Sequence, residues 1–413
     1  MMPQDPKFFE GKFKKPDPEE DISLDYAKFK MILLERLVLV NITSGESDNP
    51  YLIFESLNNK GEELTQADLV RNYIFMKLPP EERDEVYQSE WMPLQERFKV
   101  NMQNKEYANE LTNAFWFYLR KDGESVNQKE VYKGIKKRFD SSLIGIRSEL
   151  QKLVQFASYY QYLNFYETEP EPKLKRWFKR LMRLDFTTCH IFLLNIYHEY
   201  EEKRLSLDKF EKILRYLESY FVRRLFAGVS TRSLGTVFNN LYCEVQKQNR
   251  DDLVDGLRTV LMRYERSKVW PTDDNFRQGI MTQAVYSNSS IDRTKLILES
   301  LEESLSKEQV EPKNLTIEHI MPQTLDKNKK WSSMLGANYS NIHKKWLNTL
   351  GNLTLTGYNS ELSNKPFEEK LIHLRSSNVT MNQYFRNIDI WNEEAMKTRA
   401  AHLSDIAVKV WPR

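Results

Sequence analysis

The chain has 413 residues, of which 40% are hydrophobic and 29% are charged, and this composition is typical of a folded protein rather than a disordered one. At about 150 residues per domain, the length predicts two or three domains. The 61 Lys and Arg residues nearly balance the 59 Asp and Glu residues, which excludes a polycationic or strongly acidic protein.

The first 80 residues predict a partial α/β segment. Residues 1–20 are rich in Pro and charged side chains and predict a mobile leader. Between Leu24 and Val40 the apolar residues change from helical spacing to a β-branched run, which predicts a helix followed by a strand. Thr65-Gln-Ala-Asp68 has the pattern of a capping box, and the helix that it begins is expected to end at Pro79-Pro80.

Residues 81–310 predict a helical domain. Apolar residues recur at i, i+3 and i+4, glycines are few, and the pattern indicates eight to ten helices without an internal repeat. His190 lies in an apolar stretch and is expected to be a hydrogen-bonded core histidine. Cys189 and Cys243 are too few for a disulfide framework and predict a reduced, cytoplasmic setting. No apolar run is long enough to span a bilayer, so we expect no membrane segment.

Basic residues in this domain allow two interpretations. Six cations between residues 173 and 183 surround Trp177 and Phe178, an arrangement suited to a DNA phosphate backbone. Charge runs are more often solvated helix faces, and three acidic residues precede this one, so the solvated face is the favoured interpretation. A smaller cluster of Arg223, Arg224 and Arg232 allows the same alternatives. The candidate DNA-binding residues are Lys173, Arg176, Lys179, Arg180 and, further along the chain, Lys365.

Residues 311–413 have a different pattern. Residues 315–320 and 350–355 predict two short strands separated by a long excursion, and residues 367–374 predict a helix that Pro366 begins. Residues 391–411 predict a further amphipathic helix. The order is therefore strand, strand, helix, with one helix added.

Glu318 and His319 end the first of these strands. Adjacent side chains of a strand point to opposite faces, but Pro322 favours an end of the strand here, which frees both groups to serve one site. Two amides follow, with Asn352 expected in the second strand and Asn359 before the helix. Of the remaining histidines, those on charged helices are expected to be solvated: His343, His373 and His402.

This order of acid, histidine and two asparagines is similar to that of the His-Me finger (HNH) nucleases. Three segments resemble the nuclease domain of the GmrSD family of modification-dependent restriction endonucleases, and the likeness continues to Trp411. They are Thr316-Ile-Glu-His-Ile-Met-Pro-Gln323, Leu350-Gly-Asn-Leu-Thr-Leu355 and Asn359-Ser-Glu-Leu-Ser-Asn-Lys-Pro-Phe-Glu-Glu-Lys370.

The resemblance implies a ββα fold and a role for each of four residues. His319 would be the general base, Glu318 and Asn359 would hold a divalent cation, and Asn352 would brace the loop that aims the imidazole. Oxygen ligands of this kind favour Mg²⁺ or Mn²⁺. The chain has Glu318 where many HNH nucleases have Asp or His, and it lacks the Cys-rich zinc knuckle that many of them carry.

An earlier part of the chain resembles the N-terminal half of the same family. Residues 54–61, residues 64–69 and Asn72 are similar to the end of its ParB-like NTPase domain, and residues 217–224 to its helical continuation. The family's Asp-Gly-Gln-Gln-Arg nucleotide motif is absent from this sequence. We therefore expect no NTP hydrolysis and a truncated or split member with an NTPase partner subunit. For Asn58, Asn59 and Gly61, a plain turn is favoured over a remnant nucleotide pocket.

The sequence thus predicts a mainly α protein with three parts. Residues 1–80 form an NTPase remnant, residues 81–310 a helical domain, and residues 311–413 a ββα nuclease domain. The predicted function is metal-dependent cleavage of foreign, modified DNA in restriction. The alternative is a DNA-binding or regulatory subunit of a split restriction system, whose nuclease is silent without the missing NTPase half.

Overall fold

The computed structural model describes residues 25–36, 64–99, 106–306, 315–325 and 329–413. The chain divides into two compact units, residues 1–63 and 64–413. In the first unit, helix α1 (Tyr26–Met31) begins after the N-cap Asp25 and continues as a wider helical turn to Arg36. The predicted leader, the strand before Val40 and the turn at Gly61 lie outside the described residues.

The second unit is mainly α-helical, which confirms the predicted fold class. Twelve of its described helices lie between residues 81 and 310, more than the eight to ten predicted, because two of them, Arg83–Val86 and Met92–Lys99, are too short to show a clear period. No described helix is long and apolar enough to cross a membrane. The helices up to residue 305 are α2 (Gln66–Lys77), α3 (Arg83–Val86), α4 (Met92–Lys99), α5 (Glu106–Arg120), α6 (Val131–Asp140), α7 (Ile146–Asn164), α8 (Pro172–Arg183), α9 (His190–Glu201), α10 (Leu207–Phe226), α11 (Leu234–Gln248), α12 (Leu253–Arg263), α13 (Asp273–Thr282) and α14 (Ile291–Leu305).

The predicted capping box begins α2. The Thr65 side chain accepts a hydrogen bond from the Asp68 backbone N–H, and the Asp68 carboxylate accepts one from the Thr65 backbone. The helix ends before Pro79 and packs on α5, where the Ala67 N–H donates to Thr112 Oγ1 at 3.2 Å. Helix α2 is therefore part of the second unit, and the predicted boundary at residue 80 stays a prediction.

A two-stranded antiparallel sheet forms the centre of the C-terminal region. Strand β1 (Thr316–His319) pairs with β2 (Leu353–Thr356), with His319 opposite Leu353. The second strand was predicted from residue 350, but Asn352 lies in a tight turn before it, since its N–H donates to the Thr349 carbonyl at 3.1 Å. The expected place of Asn352 inside the strand is therefore wrong.

Five described helices of the C-terminal region pack their apolar faces into one core rich in tryptophan. The helix Phe367–Arg375 agrees with the helix predicted after Pro366, and Glu393–Val410 agrees with the predicted terminal helix. The core includes Trp331, Trp346, Phe367, Phe385 and Trp391. The helices are α15 (Lys330–Leu335), α16 (Tyr339–Trp346), α17 (Asn359–Leu362), α18 (Phe367–Arg375) and α19 (Glu393–Val410).

Helix α19 holds the turn that precedes β2. The fully buried Arg399 donates from Nη1 to the carbonyls of Leu350, Gly351 and Leu353, at 3.3, 3.0 and 2.7 Å. A Cβ at residue 351 would lie 2.7 Å from the Met396 carbonyl, so glycine is required for this close approach. The terminal helix therefore fixes the position of the turn.

Helix α10 carries two buried arginines, and one of them, Arg223, joins the helical part of the chain to the C-terminal region. Arg223 donates to the Trp411 carbonyl at 2.7 Å, and Arg224 donates to the Ser267 carbonyl at 2.9 Å. Both side chains are buried, so DNA contact and a solvated face are both wrong for them. Backbone carbonyls and, for Arg223, the Asp273 carboxylate at 2.7 Å accept their hydrogen bonds instead, because a buried guanidinium must be hydrogen-bonded.

His190 lies in the core, as predicted, but its hydrogen bonding differs from the expectation. Its side chain is buried, and among the described residues Nδ1 has no hydrogen-bond partner. Burial lowers the pKa of the imidazole to about 3, because the charged form is not solvated there.

We expect acid to destabilise the fold through His190. In the unfolded chain the imidazole pKa is about 6.5, so between that value and the folded one the unfolded chain binds more protons. The free energy of unfolding should fall as the pH drops below about 6.5, by up to ~1.4 kcal/mol per pH unit. When the pH is lowered from about 7 to 5, the free energy of unfolding measured in urea should fall by about 2 kcal/mol more for the parent than for His190→Leu. An identical pH dependence of the free energy of unfolding in the parent and in His190→Leu would contradict the prediction.

Candidate functional site

The end of β1 brings Glu318 and His319 to one cleft. The two residues are 5% and 7% exposed, and because the strand ends at His319 both line the same cavity instead of opposite faces. The cleft has a volume of about 280 Å³. Its lining residues are Tyr286, Ile317, Glu318, His319, Pro322, Gln323, Asn359, Ser363 and Asn364.

The His319 imidazole is held from three sides. Nε2 lies 3.1 Å from Asn348 Oδ1, Nδ1 lies 3.5 Å from Gln323 Nε2, and the Tyr286 ring stands perpendicular to it with centroids 4.6 Å apart. Because a carbonyl oxygen accepts hydrogen bonds and cannot donate them, the contact with Asn348 assigns the proton to Nε2. Nδ1 then keeps its lone pair.

Electrostatics favours the neutral form of this imidazole. Burial lowers the pKa of His319 below its usual value, and the nearby charges of Lys370 and His343 act in the same direction, while the hydrogen bond with Asn348 opposes them. At neutral pH the ring is therefore able to accept a proton. His343, predicted to be solvated, is half-buried instead, with Nε2 2.9 Å from the Pro322 carbonyl.

Asn352 lies behind the cleft and is fully buried. Its Oδ1 accepts hydrogen bonds from the Met321 N–H at 2.7 Å and from Trp391 Nε1 at 3.1 Å. Its Nδ2 donates to the carbonyls of Met321 at 2.9 Å and Leu347 at 3.0 Å. The amide thus ties the chain after His319 to the turn before β2 and to the helix that precedes that turn.

Glu318 forms a buried ion pair. Lys370 Nζ on α18 donates to Glu318 Oε1 at 2.5 Å and to the His319 carbonyl at 2.8 Å. Burial raises the pKa of Glu318, and the Lys370 ammonium opposes that shift. The other carboxylate oxygen, Oε2, accepts no hydrogen bond from the described residues.

The cleft offers oxygen donors of the kind that a hard cation binds. Glu318 and the exposed Asn359 both line it. These donors fit Mg²⁺ or Mn²⁺ when water and a substrate phosphate supply the remaining ligands. Among the described residues, the cleft included, no group of three or more His, Cys, Asp or Glu side chains is arranged to hold a metal.

Of the five candidate DNA-binding residues, Lys365 lies beside the cleft. It follows the lining residue Asn364, is exposed, and forms no ion pair or side-chain hydrogen bond with the described residues. An unpaired cation at the mouth of a cleft is suited to a phosphate contact.

The four candidates on α8 are engaged by neighbouring side chains. Lys173 pairs with Glu211 at 3.1 Å, Arg176 with Glu303 at 3.1 Å, and Arg180 with Glu218 through two hydrogen bonds of 2.7 Å. Lys179 is exposed and lies over the Tyr166 ring at 5.7 Å. DNA binding by this helix stays a prediction, and these contacts give it no support.

A comparison with protein families identifies the region that contains the cleft. Residues 270–406 match the model described as GmrSD restriction endonucleases, C-terminal domain. These residues, called the GmrSD domain below, are therefore similar to the C-terminal domain of the GmrSD restriction endonucleases. No curated protein matches the chain.

The GmrSD domain begins upstream of the sheet and includes α13 and α14. The segment between these helices supplies Tyr286 to the cleft, and the Val285 N–H donates to the Asn348 carbonyl at 2.8 Å. An isolated bridge between Ala284 and Thr349 continues this pairing. The cleft thus uses residues before position 311, where the nuclease domain was predicted to begin; that boundary stays a prediction.

Sequence reasoning missed four residues around His319 and Glu318: Tyr286, Gln323, Asn348 and Lys370. A signal for Lys370 was present, because Phe367, Lys370, Leu371 and Leu374 have the i, i+3, i+4, i+7 spacing of a buried helix face. A lysine on such a face requires a buried partner. Tyr286 and Asn348 gave no local signal, since they meet through pairing between distant segments.

Proposed function

We propose that the GmrSD domain hydrolyses phosphodiester bonds of DNA, with His319 as the general base. The observation that carries the proposal is the cleft itself, where a neutral imidazole, a carboxylate and an exposed amide meet. Nδ1 of His319 would take the proton of the attacking water, because Nε2 is engaged by Asn348. Glu318 and Asn359 would hold the cation, and Lys365 would contact a phosphate beside the cleft.

A bound Mg²⁺ or Mn²⁺ would polarise the phosphate and stabilise the leaving oxygen. Asn352 would act indirectly, by holding the chain after His319. The finer proposal is an HNH-type, ββα nuclease centre that acts on modified foreign DNA. It is supported by the antiparallel pairing of β1 and β2 and by the helices that follow them.

We expect cleavage to depend on a divalent cation. Plasmid nicking by the purified chain should disappear in chelator and return when Mg²⁺ or Mn²⁺ is added in excess, because the cleft supplies oxygen donors. Modified and unmodified plasmids, each with and without added nucleotide, test the substrate class in the same experiment. Full activity in chelator would contradict the metal-dependent mechanism.

The alternative, a binding or regulatory subunit of a split restriction system, gives a different result. Such a chain would retain DNA in a mobility-shift experiment but leave plasmid intact with every cation. Cleavage that appears when an NTPase partner is added would favour this alternative.

A further inference from the structure

Lys370 contacts both residues that end β1. Its side chain is 0% exposed, and its ammonium donates to the Glu318 carboxylate and to the His319 carbonyl. A buried ammonium is costly unless it is paired and hydrogen-bonded. Both acceptors belong to residues at the centre of the proposed chemistry, so the position of this lysine is tied to the geometry of the cleft.

The pair also sets the charge of the cleft. Glu318 is the one carboxylate among the residues that line the cavity in the described part of the chain. The Lys370 ammonium cancels that negative charge, and none of the other lining residues is acidic. Cation affinity in proteins increases with the number of charged ligands, and Mg²⁺ sites often take their remaining negative charge from substrate phosphates.

We propose that Lys370 is a positioning residue that holds one oxygen of Glu318 and makes tight cation binding depend on a DNA phosphate. The inference rests on the proposed function of the cleft and adds a role for Lys370. Free of DNA, the nearly neutral cleft binds a divalent cation weakly. With DNA bound, the phosphate supplies the negative charge that the ion pair has cancelled.

This dependence is reciprocal. If DNA tightens cation binding by some factor, the cation tightens DNA binding by the same factor. The full chain carrying His319→Ala, in which cleavage is slow, allows cation affinity and DNA affinity to be measured with Mn²⁺ and a short DNA duplex. Electron paramagnetic resonance of free Mn²⁺ should show weak binding alone and roughly tenfold or tighter binding with the duplex.

Lys370→Met in the same background tests the role of the charge. Without DNA, Mn²⁺ affinity should rise at least about tenfold, because a positive charge next to the ligand carboxylate is removed. The effect of the duplex on Mn²⁺ affinity should shrink accordingly. Lys370→Arg keeps the charge and should keep the weak affinity of the parent.

A second comparison covers the case in which Lys370→Met fails to fold, since that variant buries an unpaired carboxylate. Glu318→Gln keeps a hydrogen-bond acceptor for Lys370, and Glu318→Gln/Lys370→Met removes both charges. The double variant, which lacks the lysine, should bind Mn²⁺ more tightly than Glu318→Gln. Equal Mn²⁺ affinities in both comparisons, in variants with the parent's circular dichroism, would overturn the proposal.

The two proposals fail in different ways. If Mn²⁺ affinity responds to Lys370 as expected but the parent chain leaves plasmid intact, the nuclease function is wrong and the role of Lys370 stands. If the parent cleaves plasmid while Mn²⁺ affinity ignores Lys370, the nuclease function stands and Lys370 is a structural anchor.

Discussion

His319→Ala should lower DNA cleavage by about 10²- to 10⁴-fold, the range that a general base contributes to water activation. The variant loses the proton acceptor but keeps Glu318 and Asn359. The side chain lies at a strand end and faces the cleft, so we expect a small change in melting temperature. Initial rates of plasmid nicking and thermal melting of the same preparation measure the two effects separately.

The exposed His402 gives a matched control, because His402→Ala removes an imidazole from the same domain away from the cleft lining. It should cleave and melt like the parent. A His319→Ala protein that cuts as fast as the parent would remove the general base from the proposal. A loss of cleavage that matches a collapse in melting temperature would instead point to a structural role for His319.

Asn352→Ala should lower the free energy of unfolding strongly and should lower cleavage less than His319→Ala does. The substitution removes four hydrogen bonds. It leaves three buried groups without a partner, namely the Met321 N–H, the Met321 carbonyl and the Trp391 indole N–H, and also the partly buried Leu347 carbonyl. Unsatisfied buried groups cost roughly 1–3 kcal/mol each, and relaxation recovers part of that cost, so we expect a loss of about 3–5 kcal/mol. Urea unfolding measures it.

Asn359→Ala is the matched comparison, because that amide is exposed on the cleft. Its free energy of unfolding should change by less than about 0.5 kcal/mol, while cleavage falls through loss of a proposed cation ligand. Under conditions where Asn352→Ala is folded, its cleavage should exceed that of His319→Ala, since the proton acceptor remains. Similar stabilities for Asn352→Ala and Asn359→Ala would contradict the bracing role of Asn352.

Local patterns predicted the parts of the fold that depend on neighbours in sequence. The capping box at Thr65 and the helix after Pro366 are fixed by short-range hydrogen bonds and backbone geometry, and the structure has both. The meeting of Glu318 and His319 in one cleft also follows from a local cause, the end of the strand before Pro322.

Long-range contacts could not be predicted in this way. Asn348 orients His319 from 29 residues away, and the chain between them carries no period that fixes their distance. The cations of α8 looked like a phosphate-binding face because their partners on α10 and α14 are remote in sequence. Charge patterns reveal which side chains need partners, but tertiary packing decides whether those partners are protein or DNA.

The hydrogen bonds of Arg399 to the turn before β2 have a consequence for how the cleft forms during synthesis. The turn carries Asn352, and the arginine that holds its carbonyls lies on α19, a helix that is translated after the turn. Chains fold from the N-terminus as they leave the ribosome. The histidine, the carboxylate and both asparagines are therefore made before the clamp that fixes their frame. A polypeptide on the ribosome carries these groups without the brace until α19 has emerged, so the cleft is completed only after that helix has been translated.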